Sequence, residues 1–408
     1  MRSISRWAAL FGPGMLLAAT GVGAGDLATA AFAGAHLGTT VLWAVLLGGA
    51  LKFALNEGLA RWQLASGSSF LEGVARRLGP VWLWLFLPYL LLWSYFVGAA
   101  LISACGVAAQ ALLPLQAGAV QGKQIWGALH AVLGLLLVWL GGFALFARVM
   151  RWCIAVMFVL VLLTAVQLWP GASAVVQGLR PSLPPFPSAL EWTLALIGGV
   201  GGTLTILCYG YWIRAAGRSG LGALNTCRID LAGGYALTAL FGMAMVIIGS
   251  QLPQVPGGGA SLIVDLGLAL QGALGPVARW VFLIGAWAAL FSSLLGVWQA
   301  VPYLFADLWR VLRGGRGTVD EKSPAYRVYL LTIALVPLLG LSMSFSQAQK
   351  LYAITGALFM PLLALALLRM NGRRDWVGAA VNRWPAQLAL LSTLAFFAYL
   401  ALRRWQLG

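Results

Sequence analysis

Gly-Val-Gly-Ala-Gly-Asp at 21–26 and Gly-Gly-Val-Gly-Gly-Thr at 198–203 interrupt two apolar stretches, each long enough to cross a bilayer. Glycine is a poor helix former, so each cluster marks a place where a helix unwinds. Unwound backbone at membrane depth is tolerated only where it lines a cavity or is buried in protein. A matched pair of interrupted segments, one opening each half of a chain, points to the binding site of a secondary transporter built from inverted repeats.

The rest of the chain supports a membrane setting. Of 408 residues, 61% are hydrophobic and 9% charged, and the mean hydropathy is +0.89. Soluble domains carry about a quarter charged residues. Eleven spans are expected, at about 8–34, 40–64, 80–106, 125–143, 149–169, 189–213, 228–250, 276–302, 326–344, 350–369 and 386–404. The stretch 261–275, which contains Asp265, reads as an interfacial helix. The fold class expected is an all-α polytopic membrane protein with a 5+5 inverted repeat. Residues 8–169 and 189–369 form the two halves of this single membrane domain, and 386–404 is an appended eleventh helix. The linker at 180–188 is stiffened by proline.

A formal charge of +16 would suit nucleic acid, but its distribution does not. Most of the 26 Lys and Arg fall in loops on one side, which the positive-inside rule places in the cytoplasm. The N-terminus is then cytoplasmic, the C-terminus lies outside, and a bacterial inner membrane is the expected location. The first span is expected to be retained rather than cleaved as a signal peptide. The four cysteines (Cys105, Cys153, Cys208 and Cys227) show neither a disulfide framework nor a metal-ligand spacing. Trp62, Trp82, Trp84, Trp126, Trp169, Trp192, Trp212, Trp384 and Trp405 lie near expected helix ends and read as interfacial belts.

Several short stretches resemble the natural-resistance-associated macrophage protein (Nramp) family of proton-coupled divalent-metal transporters, which have the amino-acid-transporter (LeuT-like) fold. They are Phe-Gly-Pro-Gly at 11–14, Asp-Leu-Ala-Thr at 26–29, Leu-Ala-Arg at 59–61 with Ser-Gly at 66–67, Arg-Ile-Asp at 228–230 and Phe-Ser-Ser-Leu-Leu-Gly at 291–296. The resemblance implies that fold, with helices 1 and 6 unwound at the site. The family's metal motif Asp-Pro-Gly-Asn aligns with Gly23, Ala24, Gly25 and Asp26, so its first acid is absent. Its Met-Pro-His aligns with Gly202, Thr203 and Leu204. The acids of its helix-3 proton path are replaced by the apolar and aromatic run 90–96.

The residues themselves suggest a site. Asp26 is a carboxylate at an unwound mid-membrane position, where ionisable groups are costly and mark function. It is the candidate metal ligand, beside carbonyls around Thr20, Gly21, Gly23 and Gly25, and it would also suit the start of a half-helix. Across the expected pseudo-two-fold axis lie Gly199, Gly202, Thr203, Thr205 and Tyr209. Alternatively, Gly198 and Gly202 form a small-residue packing motif. Lys52 needs a partner at the bilayer centre. The candidates are Asp26, Glu57 or Asn56, and a coupling-proton role is also open. Ser292 and Ser293 could complete an ion site or simply bond back within their helix. Glu57–Arg61 and Asp230 with a nearby Arg read as ion pairs, and His36 and His130 as structural.

No motif of an enzyme or nucleotide-binding protein is present, and no cofactor is expected. The expected function is alternating-access transport of a small cation, a hard divalent metal such as Mg²⁺ or Mn²⁺. H⁺ or Na⁺ is the possible coupling ion. The alternative is a small organic solute, amino-acid- or amine-like. A non-transporting sensor is disfavoured because no output domain is visible.

Overall fold

The structure, a computed structural model, describes residues 12–183, 189–251, 260–315 and 317–407. Phe11, residues 184–188 of the linker and Arg316 lie outside the described residues, as does the expected start of the first span at 8–11. Every regular element among the described residues is helical.

The first span is two half-helices, α1 (Gly12–Gly21) and α2 (Ala24–Leu37), parted at Val22 and Gly23. Gly38, at φ 64°, reverses the chain into a short 3₁₀ turn and α3 (Leu42–Ser66). Then follow α4 (Val81–Leu112) and α5 (Ala119–Gln167). The sixth span is again broken. It comprises α6 (Ala189–Gly199), an irregular turn through 200–203, a 3₁₀ stretch Leu204–Cys208 and α7 (Tyr209–Ala215). Beyond it lie α8 (Leu224–Ser250), α9 (Ala260–Leu274), α10 (Pro276–Leu312) and α11 (Pro324–Leu335). The last helices are α12 (Phe345–Ala357), α13 (Phe359–Met370) and α14 (Trp384–Leu407).

Nine stretches among the described residues are long and apolar enough to cross a membrane. The expected eleven differs for two physical reasons. Asp26–Ser66 is one 41-residue apolar stretch in which the sequence reading sees parts of two spans, and the apolar part of α14, Trp384–Tyr399, is short. The expected spans 125–143 and 149–169 form one 49-residue helix, α5, in which Ala119–Gly141 and Leu145–Gln167 are separate spans.

Small residues set how closely the bundle packs. A Cβ at Gly14 or Gly34 of the first span would strike the backbone of Asp230 or Val246 in α8. One at Gly234 or Gly249 of α8 would strike Gly14 or Ala31 in return. Such glycine contacts let helix backbones meet, which is how membrane helices associate without a hydrophobic driving force. Trp82, Trp84, Trp169 and Trp384 are exposed, as a belt residue would be, whereas Trp62 and Trp212, each 2% exposed, are not. Those two face the bundle interior, and the Trp212 indole N–H donates to Gln299 Oε1 at 3.0 Å. The side chain of Trp405 lies outside the described set.

Candidate functional site

The two breaks lie against each other. A Cβ at Gly21 would stand 2.9 Å from the carbonyl carbon of Gly201, and one at Gly202 would stand 3.2 Å from the Gly21 Cα. Gly201 (φ 81°) and Gly202 (φ 77°) are both in the left-handed region, where a side chain is strained. The glycines therefore do two things: they turn the chain out of the helix, and they let the two unwound segments touch.

Asp26 is buried in the first turn of α2, where its charge complements the helix dipole. Gly23, not Asp26, occupies the capping position. Asp26 Oδ1 accepts the Gly201 N–H at 2.9 Å, so its carboxylate fastens the first break to the second. Lys52 reaches the same segment from α3. Its Nζ donates to Gly198 O at 2.9 Å and to Gly202 O at 2.5 Å. Gly198 lies at the C-terminal end of α6, where carbonyls lack helical partners and the dipole favours a cation. Charge-assisted hydrogen bonds of this kind are worth roughly 1.5–3 kcal/mol each, which offsets the burial of the ammonium.

The expected pair Lys52–Asp26 is thus not a contact. The structure places no Asp or Glu oxygen of a described residue within 4.0 Å of Lys52 Nζ. The two charges instead bind alternate peptide groups of 198–202, carboxylate to N–H and ammonium to C=O. Asn56, one turn along α3, donates from Nδ2 to the Tyr235 hydroxyl at 2.6 Å, and its buried Oδ1 has no partner.

Four carbonyls at the first break, those of Ala19, Thr20, Gly21 and Gly23, are already engaged. Ser293 Oγ donates to Thr20 O at 2.8 Å, and Ser292 Oγ to Ala289 O at 2.9 Å and to Ala19 O at 3.3 Å. Gly21 O accepts from Gly23 N, and Gly23 O from Leu27 N. Gly25 follows in the first turn of α2. The Thr20 hydroxyl bonds back to Leu16 O. Ser292 and Ser293 therefore both bond within the structure and tie α10 to the first break.

At the second break, Gly199 faces Thr29 and the Thr205 hydroxyl lies against Gly202. Thr203 Oγ1 accepts the Trp93 indole N–H at 3.2 Å, and Tyr352 stands 6.0 Å from Trp93, ring to ring. Trp93, Tyr235 and Tyr352 were not singled out from the sequence, because aromatics within apolar helices read as core. Tyr209 lies elsewhere. Its hydroxyl donates to Asp230 Oδ2 at 2.9 Å. Asp230 also accepts the Gly14 N–H at 2.9 Å and Arg218 at 2.7 Å. Burial would lower the proton affinity of Arg218, but the Asp230 carboxylate outweighs it and pushes the pKa up.

The remaining ion-pair readings are seen as contacts: Glu57–Arg61 at 3.2 Å and Asp230–Arg218. His130 accepts the Trp287 N–H at 2.8 Å and lies 2.7 Å from Trp126 O, as suits a neutral ring. No group of three or more His, Cys, Asp or Glu able to hold a metal occurs among the described residues. The chemistry at the breaks is therefore one carboxylate, one ammonium, peptide dipoles and hydroxyls.

Comparisons with known proteins agree with this architecture. The family model described as natural resistance-associated macrophage protein-like matches residues 14–404. The chain is 25% identical to the divalent metal cation transporter MntH of Chromohalobacter salexigens, over 92% of this chain and 86% of that protein. Among solved structures it resembles the Eremococcus coleocola manganese transporter in complex with an aromatic bis-isothiourea substituted compound. That match has a TM-score of 0.74 at 16% identity, over 96% of this chain and 85% of the other. It also resembles MhsT in complex with L-phenylalanine, with a TM-score of 0.64 at 17% identity, over 94% and 98% of the two chains.

Proposed function

Because the chain belongs to the Nramp family of membrane transporters, we propose that it is a secondary transporter that carries a small cation between its two helix breaks. A hard divalent metal such as Mg²⁺ or Mn²⁺ is the first candidate. One observation carries the reading: Asp26 and Lys52 hold the same stretch, 198–202, from the last turn of α6 into the break, by opposite peptide groups. Gly198 and Gly202 carbonyls already bind a cation, the Lys52 ammonium. A substrate cation drawn by Asp26 would take over those carbonyls as Lys52 withdraws.

A dication and an ammonium within one small site repel each other strongly. Entry of the metal therefore favours loss of the Lys52 proton, and Lys is suited to this because its charge responds to its surroundings. Lys52 would in this way supply the proton coupling that the run 90–96 of α4 has no acids to provide. Likeness to the MntH and manganese-transporter proteins supports the metal class. The 5+5 inverted repeat, with the N-terminus in the cytoplasm of a bacterial cell, supplies the alternating access.

A second reading is favoured by a specific observation. Trp93, Tyr235 and Tyr352 gather near the second break, and aromatic faces beside one carboxylate suit an organic cation. Calorimetry of the purified chain with Mn²⁺, Mg²⁺ and Ca²⁺, with uptake into liposomes, separates the two. Saturable heat and uptake for a dication support the metal. Neither for any of the three would remove it in favour of an amine-like solute.

A further inference from the structure

Away from the breaks, a crevice of about 560 Å³ opens between α3, the start of α8 and the start of α14. Its lining changes character along α3. Ala50, Phe53 and Ala54, spaced to share one helical face, form an apolar wall opposite Ala386 and Ala389 of α14. Glu57 and Arg61 follow on the same face one and two turns later, joined by Arg228 of α8 and by Arg383 just before α14. From Ala50 to Arg61 is roughly 16 Å along the helix axis.

The charged end is not neutral. Glu57 is shared by two guanidiniums, Arg228 at 2.7 Å and Arg61 at 3.2 Å. Arg383 is exposed, and among the described residues its side chain has no ion-pair partner. Three guanidiniums thus meet one carboxylate. Arg61 is only 4% exposed, and its Nε–H has no hydrogen-bond partner, although its other nitrogens bind Ala380 O and Asn382 Oδ1. Arg61 therefore lends its fixed charge to the lining of the crevice while its own hydrogen bonds hold it in place. Trp384, 75% exposed, adjoins Arg383 at the same end, and an indole of this kind suits the boundary between acyl chains and headgroups.

We infer that this crevice binds an anionic phospholipid, with its phosphate among Arg61, Arg228 and Arg383 and an acyl chain along the wall of α3 and α14. The pairing of a basic end with an apolar wall selects an amphiphile over a soluble anion, which would leave the wall unused. Basic pockets between membrane helices bind acidic headgroups by this chemistry. The lipid would then seal α14 against α3, the helix that carries Lys52.

Native mass spectrometry of the full chain in detergent, titrated with phosphatidylglycerol or phosphatidylcholine, tests this. One phosphatidylglycerol should be retained about tenfold more tightly than phosphatidylcholine. Arg383→Gln should erase most of that preference and Arg383→Lys should keep most of it. Because the exposed Arg383 side chain has no ion-pair partner among the described residues, neither change should disturb folding, which the elution profile checks. Ala386→Trp, filling the wall, should block both lipids. Equal retention of the two lipids, an unaltered preference in Arg383→Gln, or displacement of phosphatidylglycerol by inorganic phosphate would overturn the assignment.

Discussion

Asp26 and Lys52 are the residues on which the reading turns, and each can be tested alone. In Asp26→Asn the amide oxygen can still accept the Gly201 N–H, so the fold should survive while the charge is lost. Affinity for the transported cation should fall at least about tenfold, or ~1.4 kcal/mol, in a calorimetric titration. Unchanged affinity would leave Asp26 as a helix-start residue only. Lys52→Met strands the Gly198 and Gly202 carbonyls in the protein interior, at roughly 1–3 kcal/mol for each unsatisfied group. Thermal unfolding should therefore come at lower temperature, and an unshifted transition would show that water reaches both carbonyls. Both residues were legible in the sequence, because an ion at membrane depth is conspicuous by its cost. Their relation was not. They meet through backbone that neither residue type specifies, and whether Lys52 would choose a carboxylate or a helix end depends on where α3 crosses α6.

At the scale of elements, the breaks were legible and their occupancy was not. Glycine clusters mark unwinding directly, and both break where expected. Which carbonyls remain free depends on α10, some 270 residues away in the chain, whose Ser292 and Ser293 take up those of Ala19 and Thr20. Ser293→Ala should release the Thr20 carbonyl and loosen the join between α1 and α10. Hydrogen exchange across 18–24 should then quicken, whereas unchanged protection would mean that helix packing alone holds the break. Gly202→Ala combines a left-handed backbone with a Cβ only 3.2 Å from the Gly21 Cα. It should destabilise by about 1–2 kcal/mol from the backbone alone and impair transport further by parting the two segments. Full transport in a stable Gly202→Ala protein would contradict the contact between breaks.

For the whole molecule, hydropathy gave most of the helices, since crossing a bilayer demands long apolar segments with all backbone groups satisfied. It missed the burial of Trp62 and Trp212, because a helix end can be near the interface in sequence and inside the bundle in space. It also misplaced Tyr209, which joins Asp230, Arg218 and Gly14 in a buried cluster that ties the start of α1 to α8. Breaking one side of such a buried pair costs about 3–5 kcal/mol. Arg218→Gln should lower the unfolding temperature accordingly, and an unshifted transition would assign the cluster no structural role. The exchange of Lys52 for a substrate cation governs the working of the entire transporter, and proton counting tests it most directly. Mn²⁺ binding is followed by calorimetry in two buffers of different ionisation enthalpy, for the natural chain and for Lys52→Met. Exchange predicts about one proton released per metal bound, tighter binding as pH rises, and no release in the variant. Metal binding by the natural chain without proton release, or equal release by both proteins, would contradict it.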